Sequence, residues 1–266
     1  MSFKTTIEPI YNVIGETYDT TRKADPTIVQ KITQLLCAKS SNRYLDIGCG
    51  SGNYTGALSQ AGLSIDGVDI SCEMLKKAKI KYPAIDWYEG DAKRLPFQSN
   101  CYDGATCVLA THHIKDITLA FKETFRVLSR GKFVIFTATP EQCHQYWLRE
   151  YFPKMIADAC IIMASFQQLQ DALTQAGFKN IHSEPYFVTK DSQDLFLQAG
   201  KYRPEMYLDS AVRAGISSFH VSSYGNEIEM GVVKLKNDIE TGRIQEIIQQ
   251  YENSLGDHLF VIAEKI

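Results

Sequence analysis

The chain has 266 residues, 44% of them hydrophobic, and a formal net charge of −3 at pH 7. This length suits one large domain or one domain with a cap, and the apolar content is ample for a buried core. The small negative charge gives no overall bias toward nucleic acid. Because no apolar run approaches ~20 residues and the first residues lack an apolar signal core, we expect no membrane span and a location in the cytoplasm.

The seven cysteines are scattered, and no two of them form a Cys-x-x-Cys pair. This pattern is typical of reduced, mostly buried thiols and argues against a disulfide framework and against structural zinc. The six histidines include one adjacent pair, His112 and His113, but no His-x-x-x-His spacing. The sequence therefore predicts no metal site.

The predicted elements begin with residues 1–25, a segment too short for its own core that must lie on the main domain. Asp25 as N-cap and Pro26 at the first helical position then open a helix with one apolar face. From there strands and helices alternate, which predicts a parallel sheet covered on both faces. The first five strands are predicted at 44–47, 64–69, 85–88, 102–109 and 132–137. The helices between them are one after the glycines at 48–52, one between Ser71 and Pro83, and one over 117–128 that Gly131 ends.

Beyond Pro140 the pattern loosens. Residues 141–164 are predicted to be helical with an interruption at Pro153, and residues 165–176 form a helix that Gly177 ends. Two further strands are expected at 178–187 and 258–263, separated by helical stretches that include 231–239 and 245–251. We therefore predict an α/β fold, a Rossmann-like seven-stranded mostly parallel sheet with helices on both faces. The expected domains are residues 1–187 with 257–266, including an amino-terminal lid of residues 1–25, and a helical substrate cap of residues 188–256, called the cap below.

Three glycines at alternate positions, Gly48, Gly50 and Gly52, follow the first strand and precede a helix start at Asn53. A strand, a glycine turn and a helix form the entrance to a nucleotide-type pocket, because a backbone without Cβ atoms can approach a ligand closely. The dinucleotide fingerprint requires a glycine where this chain has Asn53, so the spacing disfavours it. A tight turn without a ligand is the alternative.

Two acidic residues follow neighbouring predicted strands, at the sheet edge where open α/β folds bind ligands. Asp69 ends the second strand and is suited to accept hydrogen bonds from both hydroxyls of a ribose. Asp91 follows the third strand and is suited to accept from an adenine amino group, while the N–H of Ala92 donates to a ring nitrogen. The alternatives are a capping role for Asp69 beside Ser71 and an ordinary turn for Asp91.

Apolar and aromatic residues complete this edge. Ile70 and Met74 have the spacing to enclose an adenine ring, although such a pair is also typical of plain core. Leu109 leaves the fourth strand, followed closely by His112 and His113. Either histidine is a candidate catalytic base, because imidazole titrates near neutral pH, and packing in the core or the pocket wall is the alternative.

Residues 40–140 resemble the class I methyltransferases that use S-adenosylmethionine. The run from Leu45 to Gly52 resembles their motif I, 68–71 their acidic strand end and 90–97 their adenine loop. Residues 126–132 are similar to their turn before strand five, with Arg130 where a glycine pair is more usual. The most similar branch is the small-molecule branch that includes ubiquinone and menaquinone C-methyltransferases. Its amino-terminal residues close over the cofactor, and Tyr18-Asp19 with Arg22 also resembles it.

The resemblance implies S-adenosylmethionine as the cofactor. It implies that Asp46 and the backbone of the glycine loop hold the methionine part, and that Arg22 forms a bidentate pair with its carboxylate, unless Arg22 is merely a surface residue. Tyr11 and Tyr18 could offer aromatic faces to the sulfonium, or simply pack. The residues expected at the cofactor are Tyr18, Arg22, Asp46, Gly48, Cys49, Gly50, Asp69, Ile70, Met74, Asp91, Ala92 and Leu109.

Methyl transfer from a sulfonium is an in-line displacement, so the protein chiefly aligns the nucleophile and excludes water. No Asn/Asp-Pro-Pro-Tyr/Phe run follows the fourth strand, and Cys107 lies inside a strand rather than at a Pro-Cys turn. We therefore expect a small-molecule acceptor that reacts through O, N or C, in a monomer or homodimer. The cap departs from the family's usual short hairpin, so the family's substrate is not carried over. Deleting the cap is expected to leave cofactor binding largely intact and to abolish turnover.

Three other functions remain open at this point. A non-catalytic cofactor-binding or scaffold protein would keep the fold and lack turnover. An NAD-type oxidoreductase is disfavoured by the glycine spacing. An RNA or protein methyltransferase is disfavoured by the small net charge and by the lack of an added binding module.

Overall fold

The computed structural model describes residues 18–220 and 224–266. Within them, seven strands form one sheet in the order β3-β2-β1-β4-β5-β7-β6. The first five strands pair in parallel, and β7 runs antiparallel to both β5 and β6. The strands are β1 Arg43–Ile47, β2 Ser64–Asp69, β3 Trp87–Glu89, β4 Tyr102–Val108, β5 Leu128–Thr137, β6 Lys179–Tyr186 and β7 His258–Lys265. The predicted α/β fold class is confirmed.

The helices connect and cover these strands. In chain order they are α1 Tyr18–Thr21, α2 Pro26–Leu35, α3 Asn53–Gln60, α4 Cys72–Lys81, α5 Ile117–Val127, α6 Pro140–His144, α7 Pro153–Ile161, α8 Phe166–Ala176, α9 Ser210–Ala214, α10 Gly225–Glu240 and α11 Ile244–Gln250. Short 3-10 turns lie at Thr111–His113, Trp147–Glu150, Pro204–Leu208 and Ser217–His220. The expected N-caps are confirmed, because Asp25 accepts from the N–H of Thr27 at 2.9 Å and Ser71 from that of Met74 at 3.3 Å.

Alternate residues of the strands serve opposite faces of the sheet. Phe133 and Ile135 of β5 join a core that includes side chains of α5 and α8, whereas Val134 and Phe136 join a core on the other face with α2 and α3. Strands buried on both faces are typical of parallel sheets, and they read as nearly continuous apolar runs. The sheet is thus a rigid support whose carboxyl edge carries the loops described below.

A separate apolar core lies outside the sheet, and we call it the second core. The cap supplies Tyr207, Leu235 and Ile244, among others, and the segment before α8 supplies Trp147 and Phe152. The expected division at residue 187 is therefore incomplete, because residues 143–160 pack with the cap rather than with the sheet. The apolar stretch that Pro153 interrupts therefore contributes to the second core.

The end of α5 differs from the prediction. The helix stops at Val127, and Gly131 lies inside β5 with φ +130° instead of ending the helix. The register between β4 and β5 shifts at this point, between Tyr102 and Gly104. A Cβ at residue 131 would overlap the carbonyl oxygen of Asp103, so the glycine is required by strand packing.

Tyr11 and residues 1–17 of the expected lid lie outside the described residues. In the part of the chain that is described, no helix is both long and apolar enough to cross a membrane.

Candidate functional site

The glycine loop between β1 and α3 is the base of the site. Gly48 and Gly50 have φ of +71° and +53°, a region that side chains with a Cβ rarely adopt. A Cβ at Gly48 would lie 2.7 Å from that of Ala110, whereas a Cβ at Gly50 would have no described atom within 4 Å. The loop backbone is therefore packed on one side and open on the other, as a backbone cradle for a ligand requires.

A cavity of about 920 Å³ opens over this loop at the carboxyl edge of the sheet. It brings together all the residues expected at the cofactor. They are Tyr18, Arg22, Asp46, Gly48, Cys49, Gly50, Asp69, Ile70, Met74, Asp91, Ala92 and Leu109. Among the two candidate bases, His113 lines the cavity and His112 does not.

Asp69 stands between the glycine loop and α4. Its Oδ2 accepts from the N–H of Gly50 at 2.8 Å, and its Oδ1 accepts from the N–H of Ser71 at 2.8 Å. Burial raises the pKa of this carboxyl, and the backbone hydrogen bonds offset part of the effect. Each oxygen can accept a second bond, so the carboxylate still has two acceptor positions for a ligand.

The adenine-side residues occupy the next strand ends. Asp91 accepts from the N–H of Lys93 at 2.9 Å and begins a tight turn, so its turn role is real. Its carboxylate nevertheless lines the cavity beside Ala92. Ile70 is 69% exposed although it is apolar, whereas Met74 is 2% exposed. An exposed isoleucine at a cavity rim is apolar surface that a flat ligand can cover.

Asp46 is committed to the protein itself. It is 1% exposed, and its two oxygens accept from the hydroxyls of Thr55 at 2.6 Å and Thr106 at 2.8 Å. Burial raises its pKa to about 6 despite these hydrogen bonds. Because Thr55 lies in α3 and Thr106 in β4, Asp46 holds the glycine loop between the two elements.

The amino-terminal helix α1 closes one side of the cavity. Asp19 accepts from Ser51 at 2.6 Å and from Lys81 at 2.7 Å, which ties α1 to the glycine loop and to α4. Arg22 is not the surface residue that the alternative required, because its side chain is 13% exposed. Its Nε lies 2.6 Å from Oδ1 of Asp194, a cap residue that also lines the cavity.

Sequence reasoning missed Asp194. The residue stands in no recognisable motif, and its contact with Arg22 spans 172 positions of the chain. Burial alone would lower the pKa of Arg22, but the charge and hydrogen bond of Asp194, together with the nearby tyrosines Tyr18 and Tyr54, raise that pKa above its usual range.

The histidine pair follows β4, behind Leu109. Leu109 itself has φ +52°, an uncommon conformation for a residue with a bulky side chain. The rings of His112 and His113 lie 3.9 Å apart between their centroids. Burial, with the nearby Arg22 charge, lowers the pKa of His113 to about 4, and burial lowers that of His112 well below its usual value. Both imidazoles are thus neutral at pH 7.

The donor and acceptor set fits an adenosine that bears an amino-acid tail. The cavity presents carboxylates at neighbouring strand ends, an open glycine backbone and a buried guanidinium, each suited to one part of such a molecule. Among the described residues, no three His, Cys, Asp or Glu side chains are grouped to hold a metal ion. The sheet order, the glycine loop after β1 and the acidic end of β2 define the class I fold of S-adenosylmethionine-dependent methyltransferases.

Comparisons with known proteins agree with this class. Residues 45–136 match the family described as "Methyltransferase domain". The 2-phytyl-1,4-naphtoquinone methyltransferase of Nostoc punctiforme is 40% identical over 103 residues, which cover 35% of this chain and 45% of that protein. The demethylmenaquinone methyltransferase of Lactiplantibacillus plantarum is 30% identical over 190 residues, covering 59% of this chain and 78% of that protein.

A solved structure extends the similarity to nearly the whole chain. It is a protein of Anabaena variabilis described as a "Putative methyltransferase from antibiotic biosynthesis pathway". The TM-score is 0.82 at 30% identity, and the match covers 91% of this chain and 98% of that one. The chain belongs to the class I S-adenosylmethionine-dependent methyltransferase family, and S-adenosylmethionine is the cofactor of this family.

Proposed function

We propose that this protein transfers the methyl group of S-adenosylmethionine to a small organic molecule through an O, N or C nucleophile. The observation that carries the proposal is the convergence of the glycine loop, Asp69 and Asp91 on one cavity. When bound, the cofactor supplies an electrophilic methyl group on a sulfonium. The protein's part is to hold the two reactants in line and to exclude water.

Each part of the cavity has a proposed task. Asp69 accepts hydrogen bonds from the ribose hydroxyls, and Asp91 with the N–H of Ala92 binds the adenine edge. Ile70 and Met74 would flank the adenine ring. Covering the exposed side chain of Ile70 would remove apolar surface from water and so favour binding. The glycine loop, held in place by Asp46, and Arg22 bind the methionine part. Tyr18 and Leu109, which line the same cavity, would contact the sulfonium end of the cofactor.

The acceptor enters beside the histidines. His113 is neutral and lines the cavity, so it can accept a proton from a bound nucleophile, although a pKa of about 4 makes it a weak base. Such a weak base suits an acceptor whose proton is already acidic, or an acceptor that reacts without losing a proton. The quinone substrates in the names of two relatives support a small-molecule acceptor. We further propose a cytoplasmic monomer or homodimer that does not bind nucleic acid.

Calorimetry with S-adenosylmethionine and S-adenosylhomocysteine tests the proposed function. Asp69→Ala should weaken binding by about 1–3 kcal/mol, because ribose hydroxyls would lose a buried charged acceptor. Asp66→Ala is the matched control. It lies on the same strand but bonds Arg43 and Tyr102, each at 2.8 Å, away from the cavity lining. Equal affinity of Asp69→Ala and wild type would contradict the proposed site.

A further inference from the structure

A buried ion pair joins the cap to Arg22, the residue after α1, within the wall of the cavity. Arg22 donates from Nε to Oδ1 of Asp194 at 2.6 Å and from Nη2 to Oδ2 at 3.3 Å. Tyr54, at the start of α3, donates its hydroxyl to Oδ2 at 3.1 Å. Asp194 is 1% exposed, and all three residues line the cavity. The cap thus contributes one charged side chain, Asp194, to a cavity whose other lining residues come from the sheet domain.

The backbone around Asp194 is fixed from both sides. Asp25 accepts from the hydroxyl of Ser192 at 3.0 Å and from the N–H of Gln193 at 2.9 Å. The N–H of Leu195 donates to the carbonyl of Thr21 at 3.1 Å. These hydrogen bonds hold Asp194 in place, which reduces the conformational entropy lost when a ligand binds to it.

The ion pair retains hydrogen-bonding capacity on both members. Oδ1 of Asp194 accepts one bond here and can accept two, and the guanidinium has five N–H donors of which two face Asp194. A paired carboxylate and guanidinium together attract neither a lone anion nor a lone cation strongly. They complement a ligand that carries an ammonium and a carboxylate on the same carbon, as the methionine part does.

The other buried carboxylates of the cavity have other tasks in the proposed function. Asp46 accepts from two threonine hydroxyls and holds the glycine loop, and Asp69 is proposed to accept from the ribose hydroxyls. Asp194, in contrast, lies beside the start of α3, close to the glycine loop where the methionine part is proposed to bind. The carbonyl of Arg22 accepts from the Asn53 side chain at 2.6 Å, which keeps the pair at this end of the cavity.

We propose that Asp194 is a cofactor-binding residue that accepts a hydrogen bond from the α-ammonium group of S-adenosylmethionine, while Arg22 donates to the α-carboxylate. The inference rests on the proposed function, since it requires this cofactor in this cavity. It makes the cap part of the cofactor site as well as of the acceptor site.

The experiment compares two ligands that share the adenosine. S-adenosylhomocysteine has the amino-acid end, and 5′-methylthioadenosine lacks it. Asp194→Asn should weaken the binding of S-adenosylhomocysteine by ~10-fold or more, because a hydrogen bond to a charged group is lost. The affinity for 5′-methylthioadenosine should stay unchanged. Asp25→Asn is the control: this buried aspartate also joins the cap to the amino-terminal segment, but it does not line the cavity. It should change the two affinities equally or not at all.

Equal losses for both ligands in Asp194→Asn, or no loss for either, would overturn the assignment. If the variant fails to fold, the wild type is measured with the analogue of S-adenosylhomocysteine that lacks the α-amino group. That analogue should bind ~10-fold or more weakly than S-adenosylhomocysteine, and equal affinity would overturn the assignment too. Failure of the wild type to bind S-adenosylhomocysteine at all would instead contradict the proposed function.

Discussion

His258 is an imidazole enclosed by aromatic rings at the start of β7. It stacks on Phe136 with ring centroids 5.1 Å apart and meets the edge of Phe196 at 4.7 Å. Its Nδ1 has no hydrogen-bond partner among the described residues. Burial, with the Arg22 charge, lowers its pKa to about 3, which means that the folded protein keeps this ring neutral while the unfolded chain protonates it below pH ~6.5.

This residue should make the protein sensitive to mild acid. Because the pKa is lower in the folded state, the stabilisation is complete above pH ~6.5 and is lost as the pH falls below it. His258 alone should remove about 2 kcal/mol of unfolding free energy between pH 7 and pH 5. His258→Phe keeps the aromatic packing and should abolish that part of the loss. Urea titrations across this pH range measure it, and an unchanged pH dependence in the variant would refute the prediction.

Among single residues, the sequence predicts those whose signal is local. Asp69 and Asp91 are recognisable because Asp69 ends one strand and Asp91 comes shortly after the next, and parallel strands bring their carboxyl ends to one edge. Asp194 is not recognisable, because its role depends on a loop that folds back over α1 from a remote part of the chain. His112 and His113 are adjacent in sequence, yet one lines the cavity and one does not, which only the turn at Thr111–His113 decides.

At the level of elements, β5 contains a glycine, Gly131, whose role the sequence pattern does not predict. A glycine after an apolar helical run typically ends the helix, and Gly131 matches that pattern. Here it instead allows β5 to pass Asp103 at a shift in register. Local patterns predict that an element exists far better than where it ends, since the end is decided by neighbouring strands.

Gly131→Ala should therefore destabilise the protein by about 2 kcal/mol or more, because it combines a positive φ with an overlap against backbone. Gly242→Ala is the control, since Gly242 also has a positive φ of +79° but a Cβ there would meet no described atom within 4 Å. The control should lose only about 1 kcal/mol. Thermal unfolding of both variants provides the measurement, and equal losses would contradict the role given to Asp103.

At the scale of the whole molecule, the cap is bound to the rest of the chain in two ways. It completes the second core with Trp147 and Phe152, and it hydrogen-bonds to the segment from Thr21 to Asp25. The structure therefore argues against the expectation that the cap could be deleted with cofactor binding intact. The amphipathic stretches of the cap could be recognised from sequence, but the partner that buries them could not, because that partner lies before α8.

Gly231 tests this coupling. It lies in α10 where a Cβ would overlap the carbonyl of Tyr151 and the ring of Phe152. Gly231→Ala should lower the unfolding free energy by about 2 kcal/mol through overpacking of the second core. We expect one cooperative transition, because the hydrogen bonds of the cap to Thr21 and Asp25 couple it to the sheet domain. Gly225→Ala, at a position of the same helix where a Cβ would meet no described atom within 4 Å, should not destabilise. A separate early transition in Gly231→Ala would show that the cap unfolds by itself.

The two margins of the sheet have a consequence for how the protein behaves in concentrated solution. The margin strand β3 has three residues, and β6, at the opposite margin, carries Pro185 and several charged or polar side chains. A brief or proline-containing margin offers few unpaired amides to a neighbouring molecule, so edge-to-edge polymerisation into fibrils is disfavoured. The fold thus protects a long, strongly apolar central sheet from self-association by keeping its outermost strands poor at pairing.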